Sequence, residues 1–332
     1  KQKLMKKILF LFSGILWFSI EVKACDLCSI YLNMEPNDLR NTVGMNYRYR
    51  HFENKIDRFK RVNSYNKHAA GNTVLRESSI QEEVFINYDL WFNYFVNQKW
   101  QINGTLTFAD NYYRENDSSL HNIGGIGDLT LLSKYMIYNT KVTDSSSWAM
   151  RWLVGGGLQL PIGNYQKSYV VAPSSSKNGQ VVYGAPYEEL DPHMQAGSGS
   201  LDYIVLTEFQ LRYKKIGLSA NAIYQMNSVN SYDFKFANRF NANTSLFGLI
   251  NWQKVTFAPG LGLSYEVSKR DEYKGDEYLN SGGSALFSSL FAKVYYSDFA
   301  LGFNYFQPIE QNLLDNQLPN KERLTVDLSF YF

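Results

Sequence analysis

Charge is scarce in this chain, and so are cysteine, histidine and proline. Asp, Glu, Lys and Arg make up 19% of 332 residues, beside 2 Cys, 4 His and 8 Pro. A net charge of +2 carries no polyelectrolyte signature, which argues against nucleic acid as a partner. Two cysteines fall short of a thiolate metal centre. The histidines (His51, His68, His121 and His193) fall at predicted strand ends or in loops, with no convincing serine signature for nucleophilic catalysis. No catalytic residue, metal or cofactor is therefore expected. The glycine run at 155–157 lacks a strand-to-helix setting, which excludes a phosphate-cradling loop. Past the first twenty residues no stretch approaches the roughly 18 apolar residues that a membrane-crossing helix needs.

Aromatics, in contrast, are abundant: 25 Tyr, 22 Phe and 6 Trp, with a mean hydropathy of only −0.33. Few charges, many rings and a hydrophilic average suit strands that are apolar on alternate residues only. The first residues read differently. A basic opening to Lys7, an apolar run from Ile8 to Ile20 and a small residue at Ala24 predict a secretory signal over 1–24. A periplasmic segment over 25–40 follows, carrying Cys25 and Cys28 in "ACDLC". In an exported protein a tight disulfide is the plain reading. Acylation of Cys25 is the alternative, with Lys23 beside the cleavage site against it.

From residue 41 onward the period is two almost everywhere. Twelve segments show it: 41–52, 83–95, 99–112, 126–139, 147–162, 200–213, 215–227, 237–250, 253–267, 284–296, 298–307 and 322–332. Strands of soluble proteins have a mode of about 5–6 residues, whereas tilted bilayer-crossing strands need about 9–11. Connections alternate between short ("KK" at 214–215, "SD" at 297–298) and long and polar (53–82, 163–199, 268–283). An even set of long antiparallel strands with short and long connections in turn predicts an all-β, closed transmembrane barrel over 41–332. Its short turns and both termini belong in the periplasm of a Gram-negative cell, and its long loops outside. The last segment, "ERLTVDLSFYF", places Leu324, Val326, Leu328, Phe330 and Phe332 on one face. Ending on Phe332 fits the signal read by the barrel-assembly machinery. The other expected partners are outer-membrane lipid and a small-molecule solute.

In lipid every backbone group must be paired, so a spanning sheet closes on itself, with one face to hydrocarbon and one to a polar lumen. Parity then assigns inward charges. The bases are Arg48, Arg50, Lys134, Arg151, Arg212 and Lys293; the acids are Asp89, Asp128, Asp202, Glu208, Glu266 and Asp327. These are the candidate lumen and transport residues. Six against six is balanced, unlike the one-signed rings of ion-selective pores. The plain reading is a set of salt bridges stiffening the barrel; the functional one is a narrow polar path with Phe85, Trp91, Phe247 and Phe306 as apolar stations. Trp100, Trp148, Trp152, Tyr213, Tyr295 and Tyr296 are assigned to interfacial girdles. In the 163–199 loop, Glu188, Glu189, Asp191 and His193 are read as a solvated acidic stretch rather than a cation site.

Four motifs carry a family resemblance: "GGIGDLTLLSKYMIY" (124–138), "VGGGLQLPIGNY" (154–165), "QAGSGSLDYIV" (195–205) and "FAPGLGLSYE" (257–266). Their order and spacing resemble those of the outer-membrane transporters named for the meta-cleavage pathway of phenol degradation. These are relatives of the hydrocarbon and fatty-acid channel group. Gly125, Gly127, Asp128, Pro161, Gly163, Gly197, Gly199, Asp202, Pro259 and Gly260 fall on the family's positions, and the "ACDLC" start resembles barrels of the Bacteroidetes. The resemblance implies a barrel that passes small, often apolar or aromatic molecules, and it brings no catalytic residues. Two further readings stand beside transport: a structural or partner-binding envelope barrel, and an outer-membrane lipid hydrolase.

Overall fold

The computed structural model describes residues 39–62, 73–116, 118–140, 147–165, 168–170, 187–189 and 191–332. The signal segment, Cys25 and Cys28, His68 and residues 171–186 of the long 163–199 connection lie outside them. Twelve strands form the wall: β1 (Thr42–Val62), β2 (Thr73–Phe95), β3 (Trp100–Glu115), β4 (Ser118–Asn139), β5 (Trp148–Leu160) and β6 (Asp202–Tyr213), then β7 (Ile216–Met226), β8 (Arg239–Gly248), β9 (Val255–Ser268), β10 (Gly283–Tyr296), β11 (Phe299–Leu313) and β12 (Asn320–Tyr331). Each pairs antiparallel with the next, and β1 pairs with β12 from Thr42↔Tyr331 to Phe52↔Asn320, so the sheet closes. Closure is finished where Asn41 and Phe332 exchange backbone hydrogen bonds of 3.0 and 2.9 Å.

Alternation explains why the sheet is stable in this form. Along β12, Arg323, Thr325, Asp327, Ser329 and Tyr331 are buried inward, while Leu328 and Phe330 are exposed. β4 follows the same rule, with Asp128, Leu132 and Lys134 inside and Leu131 and Ile137 outside. The outward band carries aromatic residues at both rims. Trp100, Trp148, Trp152, Tyr213, Trp252 and Tyr296 are exposed at the short-turn end; Tyr203, Tyr224, Phe240 and Tyr265 are exposed toward the other. From Tyr203 to Tyr213, ten steps of about 3.3 Å tilted by about 40° span roughly 25 Å, the height of an outer-membrane apolar band. Tyr295 corrects the girdle assignment. It lies on the Lys293 face and packs inward on the cluster of Phe247, Ala258 and Phe291.

Three strand ends depart furthest from the periodicity. β2 starts at Thr73 rather than 83, and β4 at Ser118 rather than 126. β1 likewise continues through Val62, so His51 sits within a strand and not at its end. The physical reason is that a hairpin rising beyond the hydrocarbon keeps its backbone ladder without needing an apolar face. Residues 53–82 are polar on both parities, and the hydropathy signal vanishes there although pairing persists from Glu53↔Glu82 to Val62↔Thr73.

Short turns link Tyr213 to Ile216, Trp252 to Val255 and Tyr296 to Phe299, each opening on a residue at φ +52° (Lys214, Gln253, Ser297). The "GGG" of β5 is a close approach to β4: a Cβ at Gly155 would come within 2.6 Å of the Ser133 carbonyl oxygen. At the opposite end the long connections fold on one another. A three-stranded ladder joins 234–235, 272–273 and 276–277, and a short 3-10 turn spans Pro192–Met194.

Candidate functional site

The inward charges resolve into two kinds of arrangement. The first is side-chain ion pairing. Arg48 grips Asp89 through Nε at 2.5 Å and Nη2 at 2.8 Å, with Thr107 Oγ1 donating to the same carboxylate at 2.7 Å. Lys134 meets Glu208 at 2.7 Å, and Lys293 meets Asp327 at 2.9 Å. Glu266 pairs at 2.5 Å with Arg323, a residue absent from the parity assignment although it shares the Asp327 face. Arg50 stacks 4.8 Å from the Phe85 ring, Arg151 5.9 Å from Phe95 and Arg323 4.1 Å from Phe287. Arg212 departs from the group. It lies at the short-turn rim, where Nη1 donates to the Lys214 carbonyl at 2.7 Å.

The second arrangement is built on Asp128. Its carboxylate accepts four hydrogen bonds: from the Gly163 N–H (3.1 Å), the Ser198 N–H (2.8 Å), Ser198 Oγ (2.6 Å) and Gln159 Nε2 (2.9 Å). Around it, Asn164 donates to the Ile126 carbonyl (2.7 Å), Gly197 donates to the Asn164 carbonyl (2.9 Å), and the Asn164 Oδ1 accepts from Ile126 N–H (2.9 Å). Gly163 and Gly197 touch: a Cβ on either would come within 2.8 Å of the other residue. Three sequence motifs separated by up to seventy residues thus meet at one buried carboxylate. They draw the end of the 163–199 connection into the lumen, where Asn111 Nδ2 donates to the Met194 carbonyl at 3.0 Å and Asn230 Nδ2 to that of Ser198 at 3.0 Å.

The inward segment is clamped a second time at His193. Its Nδ1 lies 2.9 Å from Asp191 Oδ1 and its Nε2 2.6 Å from Asp271 Oδ2, while Asp271 Oδ1 accepts from the Ala237 N–H at 2.6 Å. Phe234, Phe236 and Tyr278 surround the ring. Burial alone would lower the imidazole's pKa, but the two carboxylates outweigh it and raise the group well above its ordinary value. His193 also holds Asp191 and Asp271 below the ordinary carboxylate value, against the upward pull of their own burial. The ring is thus a cation bridging two anions, not a member of a solvated acidic stretch; the side chains of Glu188 and Glu189 lie outside the described residues. With both nitrogens on carboxylates, it has none left to activate a hydroxyl. Neither Asp271 nor His193 was legible as a pair, because 78 residues separate them and no local motif joins them.

Space remains on both sides of this clamp. A cavity of about 400 Å³ opens toward the long loops, against Phe52, Phe85, Tyr113, His193, Leu313 and Arg323. A second, of about 140 Å³, lies toward mid-barrel against Arg48, Arg50, Asp128, Gln159, His193 and Arg239. Phe85 and His193 border both. Asp202, at the start of β6, lines the smaller one and accepts from Ser200 Oγ (2.9 Å) and the Ser228 N–H (3.0 Å).

A closed twelve-stranded antiparallel barrel with an apolar outer band, aromatic rims and a polar interior is an outer-membrane β-barrel. Solved structures of outer-membrane proteins are similar to it in differing degree. An outer membrane channel from Pseudomonas putida F1 superposes with a TM-score of 0.53 at 13% identity, over 90% of this chain and 100% of that one. The β domain of the Bordetella autotransporter BrkA gives 0.44 at 9% identity over 89% and 100%, and the NanC porin 0.39 at 11% over 87% and 100%. No protein-family model and no curated protein matches the sequence.

Proposed function

We propose that this barrel is an outer-membrane channel that passes a small solute through a narrow, charge-paired lumen. Its long loops face the exterior, and its short turns and both termini face the periplasm. The observation that carries the reading is the pair of cavities bordered by Phe85 and His193: the inward segment leaves space on both its sides instead of packing as a dry core. The glycine motifs converging on Asp128 support kinship with the transporters named for the phenol meta-pathway. Phe52, Phe85, Tyr113, Ile123, Met194 and Leu313 around the larger cavity support a solute with an apolar or aromatic body. Arg48, Arg50, Asp89, Asp128, Asp202 and Glu266 line or brace that space. Lys134, Arg151, Glu208 and Asp327 hold the lumen wall toward the short turns. Lipid around the aromatic rims and assembly machinery acting on the Phe332 strand complete the proposed partners.

Reconstitution into planar bilayers tests the reading. Discrete conductance steps well below those of wide porins are expected, with swelling of liposomes only by small solutes. A barrel that is silent in both assays would instead be a structural element of the envelope.

A further inference from the structure

The charges around the mid-barrel cavity are unequally satisfied. Asp128 is filled by four donors, and Asp202 accepts from Ser200, Ser228 and, at 3.4 Å, Gln225 Nε2. Arg48 is committed to Asp89. Arg50 and Arg239 both line this cavity with an Nε that lacks a hydrogen-bond partner, and Arg239 in addition makes no ion pair among the described residues. Arg239 is 6% exposed, and its guanidinium lies 5.4 Å from the Phe236 ring. It acts on Asp202 and Asp271 through charge alone.

A guanidinium carries five N–H donors in a planar fork that matches a carboxylate, and burying such donors without an acceptor is costly. The two carboxylates that line this cavity, Asp128 and Asp202, already have their donors, and Glu266 across the β8–β9 ladder is held by Arg323, which leaves the cavity open to an acceptor from outside the chain. We infer that Arg239 anchors a binding site for the carboxylate of a small organic acid. The head group sits in the smaller cavity, and the apolar body points past Phe85 toward the larger one. Asp128 and Asp202 disfavour a dianion there by like-charge repulsion, which selects a monocarboxylate over a phosphate. The inference rests on the channel reading for how the acid arrives, but binding is measurable without transport.

The test uses the full chain in detergent, titrated calorimetrically with benzoate, benzyl alcohol and benzylammonium, three probes of like shape and different charge. Benzoate should bind at least roughly tenfold tighter than the alcohol, the scale of one charge-assisted hydrogen bond. Benzylammonium should bind weakest. R239Q should erase the preference, and R239K should keep part of it; heat-modifiable gel mobility reports whether each variant is folded. Equal binding of the three probes to the native barrel, or a folded R239Q that still prefers benzoate, overturns the site. If R239Q does not fold, the ranking of the probes on the native chain and on R239K decides. Conductance is recorded separately. Benzoate binding by a silent barrel would end the channel reading and leave the site, whereas conduction without charge preference would do the reverse.

Discussion

The two halves of the lumen solve the same problem by different means. Toward the short turns, charge is neutralised between side chains of the wall. Lys134 of β4 reaches across β5 to Glu208 of β6, and Lys293 of β10 reaches across β11 to Asp327 of β12. Toward the long loops one wall pair persists, Glu266 with Arg323, but Asp128 binds the backbone of a segment that is not part of the wall. Wall pairs cinch strands that the ladder already holds. A carboxylate bonded to loop N–H groups instead decides where a separable piece of chain sits. The first half should therefore govern stability, and the second the bore.

Cutting the tether should have the largest effect. Asp128→Ala removes four hydrogen bonds at once and leaves the Ser198 and Gly163 N–H groups without their acceptor. Single-channel conductance should rise several-fold as residues 195–200 leave the lumen, while the melting temperature changes little. Asp128→Asn keeps one acceptor oxygen and should fall between. A tether variant with the native conductance would show that the segment does not set the bore.

The converse break is on the wall. Lys293→Met leaves Asp327 buried and unpaired, and removing one partner of a buried pair costs about 3–5 kcal/mol. Urea unfolding in detergent should show that loss, with conductance nearly unchanged. Lys293→Met combined with Asp327→Leu should recover most of it, because the desolvation cost goes with the charges.

How far these roles could be read from sequence follows the same division. The wall was legible. Asp128, Lys134 and Asp327 each lie on a strand whose opposite parity is apolar, so period two alone gives their direction. Arg239 and Arg323 carry the same signal, on the faces of Phe247 and Asp327, and were reachable by stricter counting. The inserted segment was not legible. Residues 163–199 read as a polar loop, and nothing local says whether a loop caps a barrel or enters it. That depends on Asp128, over thirty residues upstream, finding the N–H groups of Gly163 and Ser198, where Gly163 and Gly197 lack a Cβ. The glycine motifs marked the place without revealing the contact. His193 and Asp271 left no trace, since an ion pair between two loops has no period.

The second clamp offers a subtler way to separate the halves, through pH. Because His193 titrates above its unfolded value of about 6.5, its contribution is complete below that value and is lost as pH rises through the raised folded one. Asp191 and Asp271 titrate below their ordinary value, so their contribution is present above about 3.9 and fades as pH falls through the depressed ones. The clamp should hold across the neutral range and loosen at both extremes. Conductance should step up in the alkaline limb, by a factor of roughly two if the Asp128 tether stays intact. His193→Gln should remove that limb while the Lys293–Asp327 pair, and with it urea stability, is untouched. An alkaline step that survives in His193→Gln would assign it to another group.

The smallest expected effect tests whether burial, rather than ion pairing as such, makes the wall pairs matter. Arg40 meets Asp298 at 3.0 Å at the short-turn rim, much the same distance as Lys293 to Asp327. The side chains differ in exposure, however: 35% and 55% for the rim pair against 7% and 8% inside. Water screens the rim charges and hydrates whichever one is left alone, so an exposed pair contributes about 0.2–1 kcal/mol at most. Asp298→Asn should therefore shift urea unfolding by less than about 0.5 kcal/mol. Raising the salt concentration should erase even that, while the Lys293→Met loss persists. Equal losses from the two sites would mean that the lumen is as wet as the rim, and the division between a structural half and a gating half would fail at its premise.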